Sequence, residues 1–344
     1  VEIHIGELAL EILRKLRWVL YPSVFIVFFL VGSYCSFPST VLRSFAETSL
    51  TRAALGVAPS SRGFPKVSIK DISLWRLSGA DLKDVAISWP ATKKEPPISF
   101  DIDNLKGRLG IMGLLSGSQN ITTDVKLYGG LVSTDIKTNK QKILTNLNIK
   151  ASKLNLGKID FIQAFIGAPL QGILNLTVDL KASSQLSKDG VGNLSLNLEQ
   201  GVFGPGNLKL PPATMVPSIS VPQISLGVLK ANFTLDKGQL ESKSFSLSGG
   251  DLEADLQLTI TLGRIPALSR LSGRGWFSLK KELVNSNETF KMLFDLIPEL
   301  RAAKNGDGKV GFILGGTLGR PMPRLDSSAV RMPPPKEPTE VSPN

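Results

Sequence analysis

GDLEADLQLTITL, residues 250–262, alternates without a fault: Leu252, Ala254, Leu256, Leu258, Ile260 and Leu262 take one beat, and Glu253, Asp255, Gln257, Thr259 and Thr261 the other. A period of two sends these sets to opposite faces of a strand, whereas a helix would scatter them around its circumference. The same beat runs through ILTNLNIKASKLNL (143–156), LNLTVDLKAS (174–183) and VGNLSLNLEQ (191–200). It is looser in VSIKDISLWRL (67–77) and ADLKDVAISW (80–89). ITTDVKLYGGLVSTDIKT (121–138) reads as a hairpin turning at Gly129 and Gly130, since two glycines supply the positive φ that other residues resist. The Gly-Gly signal recurs at Gly249–Gly250 and Gly315–Gly316.

The longest uncharged run lies at the other end, Trp18–Leu42, between Arg17 and Arg43. About 20 apolar residues suffice for a helix to cross the hydrocarbon core, so this stretch is long enough. Arg14, Lys15 and Arg17 precede it, and aromatic residues mark it: Trp18, Tyr21, Phe25, Phe28, Phe29 and Tyr34 are the candidate anchor residues. A cleaved signal peptide fits less well, because the run exceeds a signal core and no A-x-A site follows closely. Positive charge before the anchor places the N-terminus inside and the body on the far side, the periplasm of a bacterium. The expected location is therefore the bacterial inner membrane, with the bulk of the chain periplasmic.

The fold class that follows is mainly β: an N-terminal transmembrane helix, then an elongated, twisted antiparallel β-sheet body, groove-like or sandwich-like, with a few short helices. The expected divisions are a cytoplasmic segment (1–17), the membrane helix (18–42), a connector (43–66), a β-rich body (67–321) and a disordered proline-rich tail (322–344). The connector contains a helix from Thr48 to Leu55. Three pieces read as short helices: 105–117, 158–167 and Glu288–Ala303, the last with Phe290, Leu293, Phe294, Ile297 and Leu300 on one face and Asn285 or Asn287 as its N-cap. Five prolines between 204 and 222 mark either a loop between two halves of the body or an irregular edge.

Chemistry is scarce. The chain of 344 residues holds one cysteine and one histidine, Cys35 and His4, both outside the body. The body therefore has no imidazole base, no thiol nucleophile and no usual zinc ligand set. Asp and Glu fall mostly on polar beats or in turns. No catalytic, cofactor or metal residue is assigned, and no enzyme activity is expected. Net charge is +11, which favours negatively charged partners. The basic residues are spread along the chain, however, and aromatic content is only 7%, which argues against a nucleic-acid groove. The G-x-G-x-x-G at Gly306, Gly308 and Gly311 follows a helical stretch and precedes an alternating one, the reverse of the dinucleotide fingerprint, and reads as a turn into a strand. The sequons at Asn120, Asn175, Asn193, Asn232 and Asn287 arise from polar strand faces, and no sugars are expected.

What remains is an aliphatic sheet face. Leu174, Leu176, Val178, Leu194, Leu196, Leu252, Leu256, Leu258 and Ile260 are its candidate groove residues. The periodicity is equally compatible with an open trough suited to lipid and with a closed core. About 250 body residues at roughly 12–15 per strand and turn give some 17–20 strands, a sheet roughly 80–95 Å long.

Three segments resemble a known group. AFIGAPLQGILNLTVDL (164–180), with Pro169 and Gly172 before a clean strand, LKGRLGIMGLLSGSQNITTDVKLYGGLV (105–132) and GGTLGRP (315–321) are similar to signatures of the AsmA-like envelope proteins. The single anchor, the proline-rich middle and the stretch Ile224–Pro321 look most like the type II secretion system protein N family in its longer form, over roughly residues 15–321. The resemblance implies a bitopic inner-membrane accessory protein whose periplasmic body docks other secretion-system proteins. The wider superfamily implies phospholipid handling in a β groove. No catalytic residue carries over.

Overall fold

The computed structural model describes residues 39–55, 63–76, 78–92, 97–110, 113, 116–160, 162–163, 167–209, 218–263, 265–288, 290–291 and 298–330. It is mainly β, with 60% of the described residues in strands. Helix α1 (Ser39–Leu55) leads into β1 (Lys66–Trp75), β2 (Gly79–Trp89), β3 (Ile98–Leu109), β4 (Gln119–Leu127), β5 (Gly130–Thr138), β6 (Leu144–Asn155), β7 (Leu170–Lys181) and β8 (Val191–Phe203). After a short ribbon, β9 (Gly206–Lys209) and β10 (Ser218–Val221), come β11 (Ile224–Asp236), β12 (Gln239–Ser248), β13 (Leu252–Thr261), β14 (Arg270–Leu279), β15 (Val310–Thr317) and β16 (Arg320–Leu325). Short helices α2 (Leu186–Asp189), α3 (Lys281–Ser286) and α4 (Pro298–Ala303) lie in the connections.

All strands but β9 and β10 join one 14-stranded sheet in the order β1 to β8, then β11 to β16. Each is antiparallel to its neighbour, so the body is a single meander. The proline-rich segment connects β8 to β11 and is not an edge of the main sheet, because β8 and β11 pair directly from Phe203↔Ile224 to Val191↔Asp236. At about 4.8 Å per strand the sheet is roughly 60 Å long, shorter than expected. The strands are longer than assumed, 13 residues in β8 and β11, and the connections around residues 204–223 and 280–309 use up chain.

Of the expected helix 105–117, Gly113 and Ser116 are helical, and residues 105–109 belong to β3. Gly107 occupies an apolar beat there, in register with Ala80 and Thr123, and that gap imitated helical spacing. The β4–β5 hairpin turns at Tyr128–Gly129, with φ of 51° and 80°, the positive pair of a type I′ turn. Gly130 is already in β5. A Cβ there would lie 2.8 Å from the Leu154 Cα and the Ser152 carbonyl, so Gly130 serves close strand approach and not the turn. Gly249 and Gly250 do lie between strands, but Gly315 and Gly316 pair with Met322 and Pro321 inside the last hairpin. Gly306 and Gly308 lie in the turn entering β15, where the Asn305 side chain accepts the N–H groups of Asp307 and Lys309, and Gly311 is already in β15, paired with Trp276.

Bulges bend the sheet at one level across four adjacent strands. Lys153 and Gln200 (φ 54° and 52°), Gly172 and Gly227 all have positive φ, and the pairing shifts register beside them. Such bulges increase local twist.

Helix α1 begins at Ser39, inside the stretch assigned to the membrane, and is longer than the expected Thr48–Leu55 piece. Leu42, Ala46, Leu50 and Ala54, four residues apart, pack on Ile69, Ile72, Val85 and Ile102 of β1–β3. The Arg43 guanidinium donates to the Lys70 carbonyl at 3.0 Å. The helix is thus part of the body and not a free connector. Trp18, Tyr21, Phe25, Phe28, Phe29 and Tyr34 lie outside the described residues, within which no helix is long and apolar enough to cross a membrane. Pairing continues past residue 321 through Leu325, so the start of the expected tail is strand β16, and residues 331–344 lie outside the described set. Of the piece 288–303, Pro298–Ala303 is helical and Asn287 caps the segment before it by accepting the Phe290 N–H at 3.2 Å; Leu293, Phe294 and Ile297 are outside. Ile162 and Gln163 are helical within 158–167.

Candidate functional site

Antiparallel register carries the alternation of each strand across the sheet, so side chains of one beat line up in rows. One row runs Leu154, Leu174, Leu198, Leu229, Leu247, Ala254, Phe277, Val310. A second runs Val125, Val132, Ala151, Leu176, Leu196, Ala231, Phe245. A third links Ile149, Val178, Leu194 and Phe233, and a fourth Leu147, Leu180, Gly192, Leu235, Leu240, Ile260, Leu271. The other face is polar: Asn148, Asp179, Asn193, Thr234, Glu241, Thr259 and Ser272 form one such row.

The structure brings the nine candidate groove residues onto the apolar face but covers them unequally. Val178 and Ile260 are buried, at 5% and 8% exposure, and the other seven are half-buried. Leu176, Leu194, Leu196 and Leu258 pack against a central cluster built on Val178, Leu180, Phe233, Leu235 and Ile260. Leu252 packs instead with Ile224, Val221 and Phe290 at the edge where the ribbon and Phe290 cover the sheet. Leu174 and Leu256 continue the rows outside both clusters. Over β4 and β5, Ile121, Val132 and Ile136 are half-buried as well, between the part covered by α1 and the central cluster. The face is therefore closed locally and open along much of its length.

Two features carried no sequence signal. Trp276 faces Asp255 across the β13–β14 pair, and Lys309 Nζ stands 3.8 Å from the indole centroid, a cation–π contact. Burial pushes the Asp255 carboxyl above its usual range, against the opposing pull of the Leu256 N–H and the Lys309 charge. A raised folded-state pKa means that the folded chain holds this proton more tightly than the unfolded one. Asp255 thus destabilises the fold as pH rises from the ordinary carboxylate value through its raised one. Asp255→Asn should melt at a higher temperature than the parent at neutral pH, with the gap closing below the ordinary carboxylate range. Calorimetric or circular-dichroism melts at both pH values test this; a gap independent of pH refutes it.

A depression of about 340 Å³ lies over the bulges, lined by Asn155, Lys158, Gln171, Gly172 and Gln200 among others. The Asn155 carboxamide is occupied there by the Gly157 N–H. Among the described residues, no group of three His, Cys, Asp or Glu side chains could hold a metal ion. No protein-family model, no curated protein and no solved structure matches the chain.

Proposed function

We propose that the chain is an accessory inner-membrane subunit of the type II secretion system, anchored by Trp18–Leu42, whose periplasmic sheet docks partner components. The observation that carries this reading is the long apolar face left half-exposed on a sheet whose edges are blunted. Two of the six residues of β16 are prolines, Pro321 and Pro323, with no N–H to offer a further strand. At the other edge Arg43 of α1 occupies a β1 carbonyl. Partners are thereby directed to the face, where contiguous apolar surface marks interaction sites. The choice of secretion partners is supported by the sequence resemblance at 105–132, 164–180 and 224–321. The protein works by contact, and no bond-making role falls to any residue.

Affinity isolation of the full chain from detergent-extracted membranes should recover secretion components. Recovery of none, together with normal secretion in a deletion strain, refutes the proposal. A second reading is supported by the continuity of the four apolar rows across adjacent strands. That geometry suits an extended acyl chain lying across the sheet, making the protein a phospholipid-binding or phospholipid-transfer component.

A further inference from the structure

In a meander every second turn returns to the same long edge. The turns β5–β6, β7–β8, β11–β12 and β13–β14 are neighbours on one edge, tied by backbone hydrogen bonds from Ala182 to Thr145 (2.7 Å) and from Leu262 to Gly238 (2.8 Å). A Cβ on Gly238 would collide with Ser187 of the adjacent turn. Lysines gather here: Lys140, Lys142, Lys188 and Lys237 in the turns, with Lys137 and Lys181 at the strand ends, all exposed. Against these six stand Asp179, Asp189 and Asp236; Asp179 pairs with Lys181 at 3.5 Å, and the Asp189 carboxylate is turned back onto the N–H groups of Ser184 and Gln185 at 2.8 and 2.9 Å. The opposite edge mixes signs, with Asp160, Asp251, Glu282 and Asp307 among its lysines.

Aliphatic tips project between the lysines. Ile143 is 37% exposed, Val191 50%, Ile265 58% and Leu268 65%. Residues 139–143, 182–190, 237–238 and 262–269 contain no Phe, Tyr or Trp, so stacking on nucleic-acid bases has no platform. Lysines interleaved with aliphatic side chains along one edge are the composition of an interfacial membrane contact, where cations meet lipid phosphates and short apolar tips enter the headgroup boundary.

We propose that this edge is a membrane ledge, lying on the headgroups of an anionic phospholipid bilayer and laying the long axis of the sheet along the membrane surface. The ledge rests on the membrane-anchored reading above, since α1 begins at Ser39, within the last residues of the uncharged stretch Trp18–Leu42, and therefore holds the body close to the bilayer. Sheet twist rotates successive turns, so these four neighbouring turns make the contact and not every turn on the edge.

The test uses the full chain in a Cys35→Ser background, reconstituted in phosphatidylcholine vesicles with or without phosphatidylglycerol and with lipid-borne quenchers. A fluorophore at Leu268→Cys should be quenched severalfold more when phosphatidylglycerol is present, and a control at Glu282→Cys on the opposite edge should not change. High salt, or the combination Lys140→Glu, Lys142→Glu, Lys188→Glu and Lys237→Glu, should weaken the contact by roughly tenfold or more. Salt acts on the unaltered chain, so the result does not depend on how the variant folds. Equal quenching at both edges, or quenching indifferent to phosphatidylglycerol, overturns the ledge even if the chain is firmly embedded. If alkaline carbonate strips the protein from vesicles, the anchor reading fails, while salt-reversible flotation that requires phosphatidylglycerol still upholds the ledge.

Discussion

Leu235→Ala is expected to destabilise the sheet by about 2–5 kcal/mol, in the upper part of that range. Leu235 is 1% exposed near the turn end of β11, in register with Gly192 of β8 and Leu240 of β12. Its cluster includes Phe233, Val178, Ile260 and Leu271. Two of its neighbours cannot collapse into the space that alanine would leave. Gly192 has no side chain, and neither has Gly190, whose hypothetical Cβ would lie 2.9 Å from a Leu235 methyl. The cavity therefore persists, and its cost adds to the lost transfer energy of the removed carbons. Denaturant unfolding of the detergent-solubilised chain, followed by circular dichroism, should show a lower midpoint with an unchanged slope. Leu131→Ala, at a site 39% exposed, should cost no more than about 0.5 kcal/mol. Equal effects at both positions would mean that the central cluster does not hold the sheet together.

The strands were legible because one oily and one polar face impose a period of two that nothing else in a chain imitates for long. Residues 250–262 and 191–200 fold as they read. Two of the misreadings share a cause, which is that glycine is ambiguous. Gly107 on an apolar beat made 105–109 look helical, and Gly130 looked like a turn residue when β6 needs it small. Ser39–Leu42 read as membrane because an uncharged run carries no mark of where α1 turns its Leu42, Ala46, Leu50, Ala54 stripe onto β1–β3. Hydropathy measures what avoids water and not what it avoids it with.

Site-level features divide in the same way. That the nine candidate residues share one face was legible, because a face follows from parity alone. How far each is covered was not, since cover depends on bulges, the 182–190 connection and Phe290, which are tertiary. The lysine ledge shows the converse. Along the sequence its lysines are scattered and resemble a solvated surface, and only the meander, by stacking alternate turns, turns scatter into a row. The Asp255, Trp276, Lys309 group joins three stretches far apart in sequence and had no local signal at all.

Leu256→Asp separates the two readings of the apolar face. Leu256 is half-buried on β13, outside the buried clusters, and its side chain lies over Gly275 of β14, whose hypothetical Cβ would be 3.1 Å from a Leu256 methyl and from the Phe312 ring. Aspartate there can stay hydrated from the open side while the face is empty. An acyl chain laid along the rows would have to strip that water from the carboxylate, at a cost of several kcal/mol. The variant should therefore fold with a near-parental melting temperature and lose co-purified phospholipid by on the order of tenfold or more. Leu258→Asp is the necessary contrast. Leu258 is also half-buried but packs on the central cluster and lies against Gly273, so its carboxylate would be partly desolvated by the protein itself and should lower the melting temperature with or without lipid. Phospholipid quantified by mass spectrometry in the purified full-length proteins decides the matter. If the unaltered protein carries none, or Leu256→Asp carries as much, no acyl chain occupies the rows and the face belongs to protein partners.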